Sequence, residues 1–188
     1  MAVKAIEAVL LTGGASRRMG ADKAKLLIGG EPLGERIARM LAQACVRVTV
    51  CGREPLPGAE FLRDEEEFAG PLAAIARFEP VQELVFVASC DLPGFDPRLV
   101  AQLEDRIGDH GAAVPVVDGR LQPLCALYCP LAFGIARRIA AAGERRIMRW
   151  LDALDVIQVG DIEPAWARNV NSVDELNLRR AEPRESLS

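Results

Sequence analysis

A chain of 188 residues that is half apolar, with 23 basic against 27 acidic side chains and a formal charge of −4, is sized for one domain with a substantial core. Its acidic balance excludes nucleic acid as the main partner. No apolar run approaches a membrane span, and Met1 to Ala5 is too short for a secretory signal, so a cytoplasmic protein is expected. The only histidine is His110, and five cysteines (45, 51, 90, 125 and 129) contain no C-x-x-C pair. These spacings support neither a Cys/His zinc site nor a mechanism built on imidazole.

In chain order, Ile6 to Leu11 opens with apolar, β-prone residues and reads as a buried strand, stopping at Gly13-Gly14. Pro32 to Ala44 carries apolar residues at Leu33, Ile37, Met40, Leu41 and Ala44, a helical period with proline at its start. Val46 to Cys51 is a β-branched strand, and the resulting βαβ unit implies a right-handed crossover and a parallel sheet. Glu60 to Arg63 reads as a short strand ending at Asp64, and Pro71 starts a helix through Leu72, Ile75, Ala76 and Phe78. Leu84 to Ala88 is the best central-strand candidate, continuously apolar, and it delivers Asp91 to the sheet's ligand edge. Pro97 to Ile107 is the next helix. Ala112 to Val117 and Leu124 to Cys129 are strand-like and linked through Asp118-Gly119, a hairpin signal that implies an antiparallel excursion. Helices are expected over Pro130 to Ala142 and Arg145 to Leu154, a strand over Val156 to Val159, and a last helix over Val173 to Arg180 capped by Ser172. The expected organisation is one α/β domain, 1–181, with a mostly parallel central sheet, followed by a polar tail, 182–188.

The glycine pair allows close approach of backbone N–H groups to a ligand, and Arg17, Arg18 and Lys23 follow it. Guanidinium forks and an ammonium point charge suit a polyphosphate. The loop is not a P-loop: Gly14 to Gly20 is one residue too long, and Lys23 does not follow a glycine. Asp91, just past the most buried strand, is placed either to hold magnesium (Mg2+) beside the phosphates or to start the turn before Leu92-Pro93. Asp64 stands at a second strand end, while Glu65 to Glu67 read as a solvated face. Asn169 and Asn171 flank Val170, so in an extended segment both amides share a side; an asparagine-rich turn is the other reading. Arg145 and Arg146 open an expected helix, where the dipole disfavours cations, so at least one is expected to answer to an anion. Cys45, Cys125 and Cys129, among apolar neighbours, read as small buried residues.

The segment Leu11-Thr12-Gly13-Gly14-Ala15-Ser16-Arg17-Arg18-Met19-Gly20-Ala21-Asp22-Lys23 resembles the signature loop of nucleotidyltransferases, most closely that of the molybdenum cofactor guanylyltransferase family. Further matches follow in the family's order: Gly70-Pro71-Leu72-Ala73, Cys90-Asp91-Leu92-Pro93, Gln122-Pro123-Leu124, Gly143-Glu144-Arg145-Arg146 and Asn169-Val170-Asn171-Ser172. The resemblance runs from about Ala8 to Leu176, with departures at Thr12 (usually alanine), Cys51 (usually asparagine) and Ala74 (usually glycine).

That resemblance implies a layered Rossmann-like fold of the nucleotide-diphospho-sugar transferase type and a magnesium-dependent transfer of GMP from GTP to the terminal phosphate of molybdenum-molybdopterin. It assigns Leu11, Thr12, Gly13, Gly14, Lys23, Asp64 and Asp91 to the nucleotide; the loop chemistry itself puts Asp91 on the metal and Arg17 or Arg18 on the leaving pyrophosphate. Arg145, Asn169 and Asn171 fall to the pterin acceptor. Molybdoenzyme chaperones or other cofactor-biosynthesis proteins are candidate partners. The competing readings are a cytidylyltransferase for the same cofactor, a sugar-phosphate nucleotidyltransferase, and a non-catalytic cofactor carrier.

Overall fold

The computed structural model describes residues 5–13, 23–64 and 70–170. Gly14, Arg17, Arg18, Asn171, Ser172, the expected helix Val173 to Arg180 and the tail 182–188 lie outside these described residues.

The first strand, β1 (Ile6–Leu11), is buried along its whole length. A strand covered on both faces belongs at the centre of a parallel sheet, and β1 pairs there with both β4 (Arg47–Gly52) and β6 (Leu84–Ser89). Between β1 and β4 lie a small hairpin, β2 (Leu27–Ile28) and β3 (Glu31–Pro32), and helix α1 (Leu33–Leu41). The hairpin turns at Gly29 and Gly30, both with positive φ, 61° and 88°, a conformation glycine adopts without a Cβ penalty.

The remaining elements are β5 (Glu60–Arg63), α2 (Pro71–Arg77), α3 (Arg98–Ile107), β7 (Ala112–Val117), β8 (Arg120–Leu121), β9 (Cys125–Tyr128), α4 (Pro130–Ala141), α5 (Ile147–Leu151), β10 (Val156–Val159) and α6 (Pro164–Ala167). The sheet order is β10-β7-β9-β6-β1-β4-β5, with β8 paired to β7. Along this path only β9 runs against the others. The carboxyl ends of β1, β4, β5 and β6 therefore open on one edge, with Leu11 level with Cys51 and Ser89.

Alternation along β1 divides the interior into two apolar layers. Ile6, Ala8 and Leu10 pack with α1 and α3, while Val9 and Leu11 pack with α2, α4 and α5. Each fully buried leucine or valine contributes roughly 1.5–3 kcal/mol relative to exposure. The second layer has an aromatic centre in which Tyr128 stacks on Trp150 at 4.4 Å between centroids. Its polar tips are satisfied: Trp150 Nε1 donates to the Ala132 carbonyl at 2.8 Å and Tyr128 OH to the Pro123 carbonyl at 2.7 Å. Among the described residues no helix is long and apolar enough to cross a membrane.

The structure corrects several local expectations. Asp118-Gly119 joins β7 to the two-residue β8, with Val117 opposite Arg120, rather than to β9. Gln122-Pro123-Leu124 interrupts the ladder, since Pro123 has no N–H to contribute, and the chain re-enters as β9 between β7 and β6. The helix expected from Arg145 to Leu154 is only Ile147–Leu151. Arg146 is extended (φ −80°, ψ 121°), because the Glu144 carboxylate takes the N–H groups of Arg145 and Arg146 at 2.9 and 3.0 Å. Of the cysteines read as core, Cys45 and Cys125 are buried but Cys129 only partly.

Candidate active site

Past Leu11 the ladder continues for one residue: Thr12 N donates to the Cys51 carbonyl at 2.9 Å, and Cys90 N to the Leu11 carbonyl at 3.1 Å. Gly13 follows, directly under the Asp64 carboxylate. A Cβ at Gly13 would stand 2.1 Å from Asp64 Oδ2, well inside any tolerated contact. Asp64 reaches that place because its own N–H bonds the Gly52 carbonyl at 2.8 Å just past β5. Burial raises the pKa of its carboxyl above the ordinary value, and the Arg77 and Arg53 charges oppose that rise. A second close approach pairs Thr12 with Gly52: a Cβ at Gly52 would lie 2.0 Å from Thr12 Oγ1.

Beside these loops two groups far apart in sequence meet. Lys23 opens a short 3-10 turn, Lys23–Lys25, and its Nζ donates to Asp91 Oδ2 at 3.2 Å and to the Val170 carbonyl at 3.1 Å. The second carboxylate oxygen, Asp91 Oδ1, accepts from Ser89 Oγ at 2.5 Å. Backbone bonding secures the segment behind them, with Val170 N donating to the Asp91 carbonyl at 2.9 Å. The Lys23 and Asp91 side chains keep 21% and 18% of their surface exposed. Ion pairs open to water contribute about 0–1 kcal/mol, and desolvated ones cost several kcal/mol per ion before attraction offsets the cost. This pair lies between those limits.

The other assigned residues separate into groups. Leu11, Thr12, Gly13 and Asp64 share the carboxyl edge with Asp91. Asn169 is exposed and immediately precedes Val170. Lys25 turns away to pair with Glu54 at 2.9 Å. Arg145 is also exposed, with Nη1 3.4 Å from the carbonyls of Ala140 and Glu144, while the Arg145 carbonyl would stand 3.9 Å from a Cβ at Gly70.

Arg146 has its anion inside the loop, a two-pronged contact with Glu144 at 3.1 and 2.8 Å, which together with backbone donors brings the Glu144 pKa down to about 2. Cys51 and Ala74, two departures from the family pattern, pack in the second apolar layer. Burial pushes the Cys51 thiol up to about 12, so it offers no replacement for a polar amide. Ser89, Gly52 and the Val170 carbonyl were not singled out from sequence. Ser89 was legible in principle as a hydroxyl two residues before the carboxylate at the end of the most buried strand.

The arrangement fits magnesium better than zinc. Among the described residues no group of three or more His, Cys, Asp or Glu could hold a metal ion. Magnesium commonly takes one or two carboxylates and completes its shell with water and phosphate oxygens. Asp91 Oδ2 already faces a cation, the Lys23 ammonium, so a positive charge is accommodated at this carboxylate.

Comparison with known proteins places these features in a wider set. Residues 8–156 match the model of the MobA-like NTP transferase domain. The chain is 35% identical over 176 residues to a probable molybdenum cofactor guanylyltransferase of Mycobacterium bovis (strain BCG / Pasteur 1173P2), covering 87% of this chain and 88% of that protein. It is 33% identical over 180 residues to the protein of the same description in Mycobacterium marinum, covering 89% and 90%. The crystal structure of molybdopterin-guanine dinucleotide biosynthesis protein A from Archaeoglobus fulgidus shares the fold, with TM-score 0.76, 24% identity, and 92% and 95% of the two chains covered. So does the 2-C-methyl-D-erythritol 4-phosphate cytidylyltransferase of Thermus thermophilus, at TM-score 0.68, 23% identity, and 92% and 98% coverage.

Proposed function

This chain belongs to the MobA-like NTP transferase domain family, and from that membership we propose that it transfers GMP from GTP to the terminal phosphate of molybdenum-molybdopterin. Relatives described as probable molybdenum cofactor guanylyltransferases, at 33–35% identity over most of both chains, support the choice of nucleotide and acceptor. The observation that carries the reading is the meeting of Lys23 and Asp91, 68 positions apart, at 3.2 Å on the carboxyl edge of the sheet. That edge, outside the strand ends, is where open α/β sheets bind ligands.

In the reaction an acceptor phosphate oxygen forms a bond to the α-phosphorus of GTP. The bond from the α-phosphorus to the bridging oxygen breaks, and pyrophosphate leaves with that electron pair. A phosphate monoester has its second pKa near 6, so at neutral pH the nucleophile is already ionised and needs no strong general base. The one histidine agrees with that chemistry: His110 pairs with Asp155 at 3.0 Å next to Ala112, the first residue of β7, at the opposite edge of the sheet.

Catalysis then rests on positioning and charge. Asp91 is the residue that would hold magnesium, which when bound offsets charge on the phosphates. Lys23 exchanges its carboxylate partner for triphosphate oxygens, and Arg17, outside the described residues, is assigned to the leaving pyrophosphate. The Leu11-Thr12-Gly13 backbone and Asp64 are assigned to the nucleotide, and Arg145 and Asn169, with Asn171 outside the described residues, to the acceptor. Such an enzyme works in the cytoplasm, beside the proteins that supply and receive the cofactor. The test is to incubate the protein with magnesium, molybdenum-molybdopterin and each nucleoside triphosphate in turn. Pyrophosphate release with GTP alone is expected; release with CTP alone would make the enzyme a cytidylyltransferase.

A further inference from the structure

We infer that Ser89 is a positioning residue for the reaction, fixing the rotation of the Asp91 carboxylate so that Oδ2 is the oxygen presented to a cation. This rests on the reading that Asp91 holds the divalent ion. Ser89 ends β6 and Asp91 lies two residues on, in the turn that follows. The Ser89 hydroxyl donates to Asp91 Oδ1 at 2.5 Å, the length of a charge-assisted O–H···O⁻ bond. Its other near acceptor, the Leu124 carbonyl, is 3.4 Å away and already receives the Ser89 N–H at 2.9 Å. The hydroxyl proton therefore belongs to Asp91.

The consequence is a division of labour between the two carboxylate oxygens. Oδ1 is committed to a neutral donor that a ligand has no reason to displace. Oδ2 meets Lys23, a mobile cation on a flexible stem. Magnesium demands near-ideal octahedral geometry, so a carboxylate locked at one oxygen offers the other at a defined angle without the cost of halting free rotation. Outer partners of this kind are worth about 10–100-fold in metal affinity. Among the described residues the hydroxyl's other hydrogen bond is the 3.4 Å one to the Leu124 carbonyl, and the backbone N–H of residue 89 still ties β6 to Leu124 after its removal.

The experiment measures binding of Mn2+, a paramagnetic substitute for magnesium, to the full-length GTP complex by electron paramagnetic resonance. Wild type is compared with Ser89→Ala, Ser89→Thr and Asp91→Ala. Ser89→Ala is expected to weaken Mn2+ binding about 10-fold while GTP affinity without metal and the melting temperature stay near wild type. Ser89→Thr, which keeps the hydroxyl, is expected to restore Mn2+ affinity. Wild-type Mn2+ affinity in Ser89→Ala, or a lower melting temperature with no change in Mn2+ affinity, overturns the role of Ser89 while leaving that of Asp91 standing. Unchanged Mn2+ binding in Asp91→Ala overturns the reading beneath it.

Discussion

Lys23 with Asp91 and Arg146 with Glu144 are both ion pairs at loops flanking the sheet, yet they are built on opposite plans. The second is local: its partners lie two residues apart, the guanidinium grips both carboxylate oxygens, and backbone donors complete the shell. The first joins residues 68 positions apart through a single Nζ contact, with a shared carbonyl from Val170, 147 positions from Lys23. A pair closed within one loop shapes that loop and has little to offer a ligand. A pair assembled from three distant segments, partly buried and joined by a single Nζ contact, stands on the carboxyl edge where open α/β sheets bind ligands.

The sharpest way to break that contrast is Asp91→Ala. Turnover with GTP is expected to fall roughly 10²–10³-fold, the usual cost of removing one preorganised electrostatic group, while circular dichroism stays native. Near wild-type turnover would place Asp91 with the structural pairs. Gly13→Ala comes next. Its methyl would stand 2.1 Å from Asp64 Oδ2, which turning that carboxylate aside relieves; calorimetric GTP affinity should fall as the carboxylate is displaced, and an unchanged titration would show that Asp64 lies outside the nucleotide site.

The smallest effect on turnover is expected from Glu144→Gln. Arg146 and the neighbouring backbone donors lower the Glu144 pKa from 4.5 to about 2. The stabilisation it provides is present above pH 4.5 and is lost as pH falls from there towards 2. Urea melts of the Gln variant between those pH values should lose that acid limb, with GTP turnover at neutral pH retained. A variant that melts normally but loses turnover would move Glu144 into the catalytic machinery.

Much of the scaffold was legible because hydrophobic pattern and strand ends speak locally. Glu60–Arg63, Ala112–Val117 and Val156–Val159 are strands at the expected bounds, and the continuous apolar run at Leu84 is β6, the middle strand of the sheet order. Elements too short to show a period were not legible: β2, β3 and β8 are two residues each and α6 is four. The Arg145 to Leu154 pattern looked helical because Trp150 and Leu151 face the core; where the helix starts depends on the Glu144 side chain taking backbone N–H groups, which periodicity does not register. The Lys23 and Asp91 assignment came from loop chemistry and family resemblance. Their contact follows from a sheet order that puts β6 beside β1, and so brings Ser89 and Asp91 next to the loop after Leu11.

The claim that Lys23 and Asp91 serve one triphosphate and its divalent ion is tested most directly by a double-mutant cycle on kcat/KM for GTP, using Lys23→Ala, Asp91→Ala and the combined variant. Residues acting as a unit give losses that do not add, so the double variant is expected to be about as impaired as Asp91→Ala alone. Losses that multiply in full would mean that the two residues act on separate events, and would contradict the account.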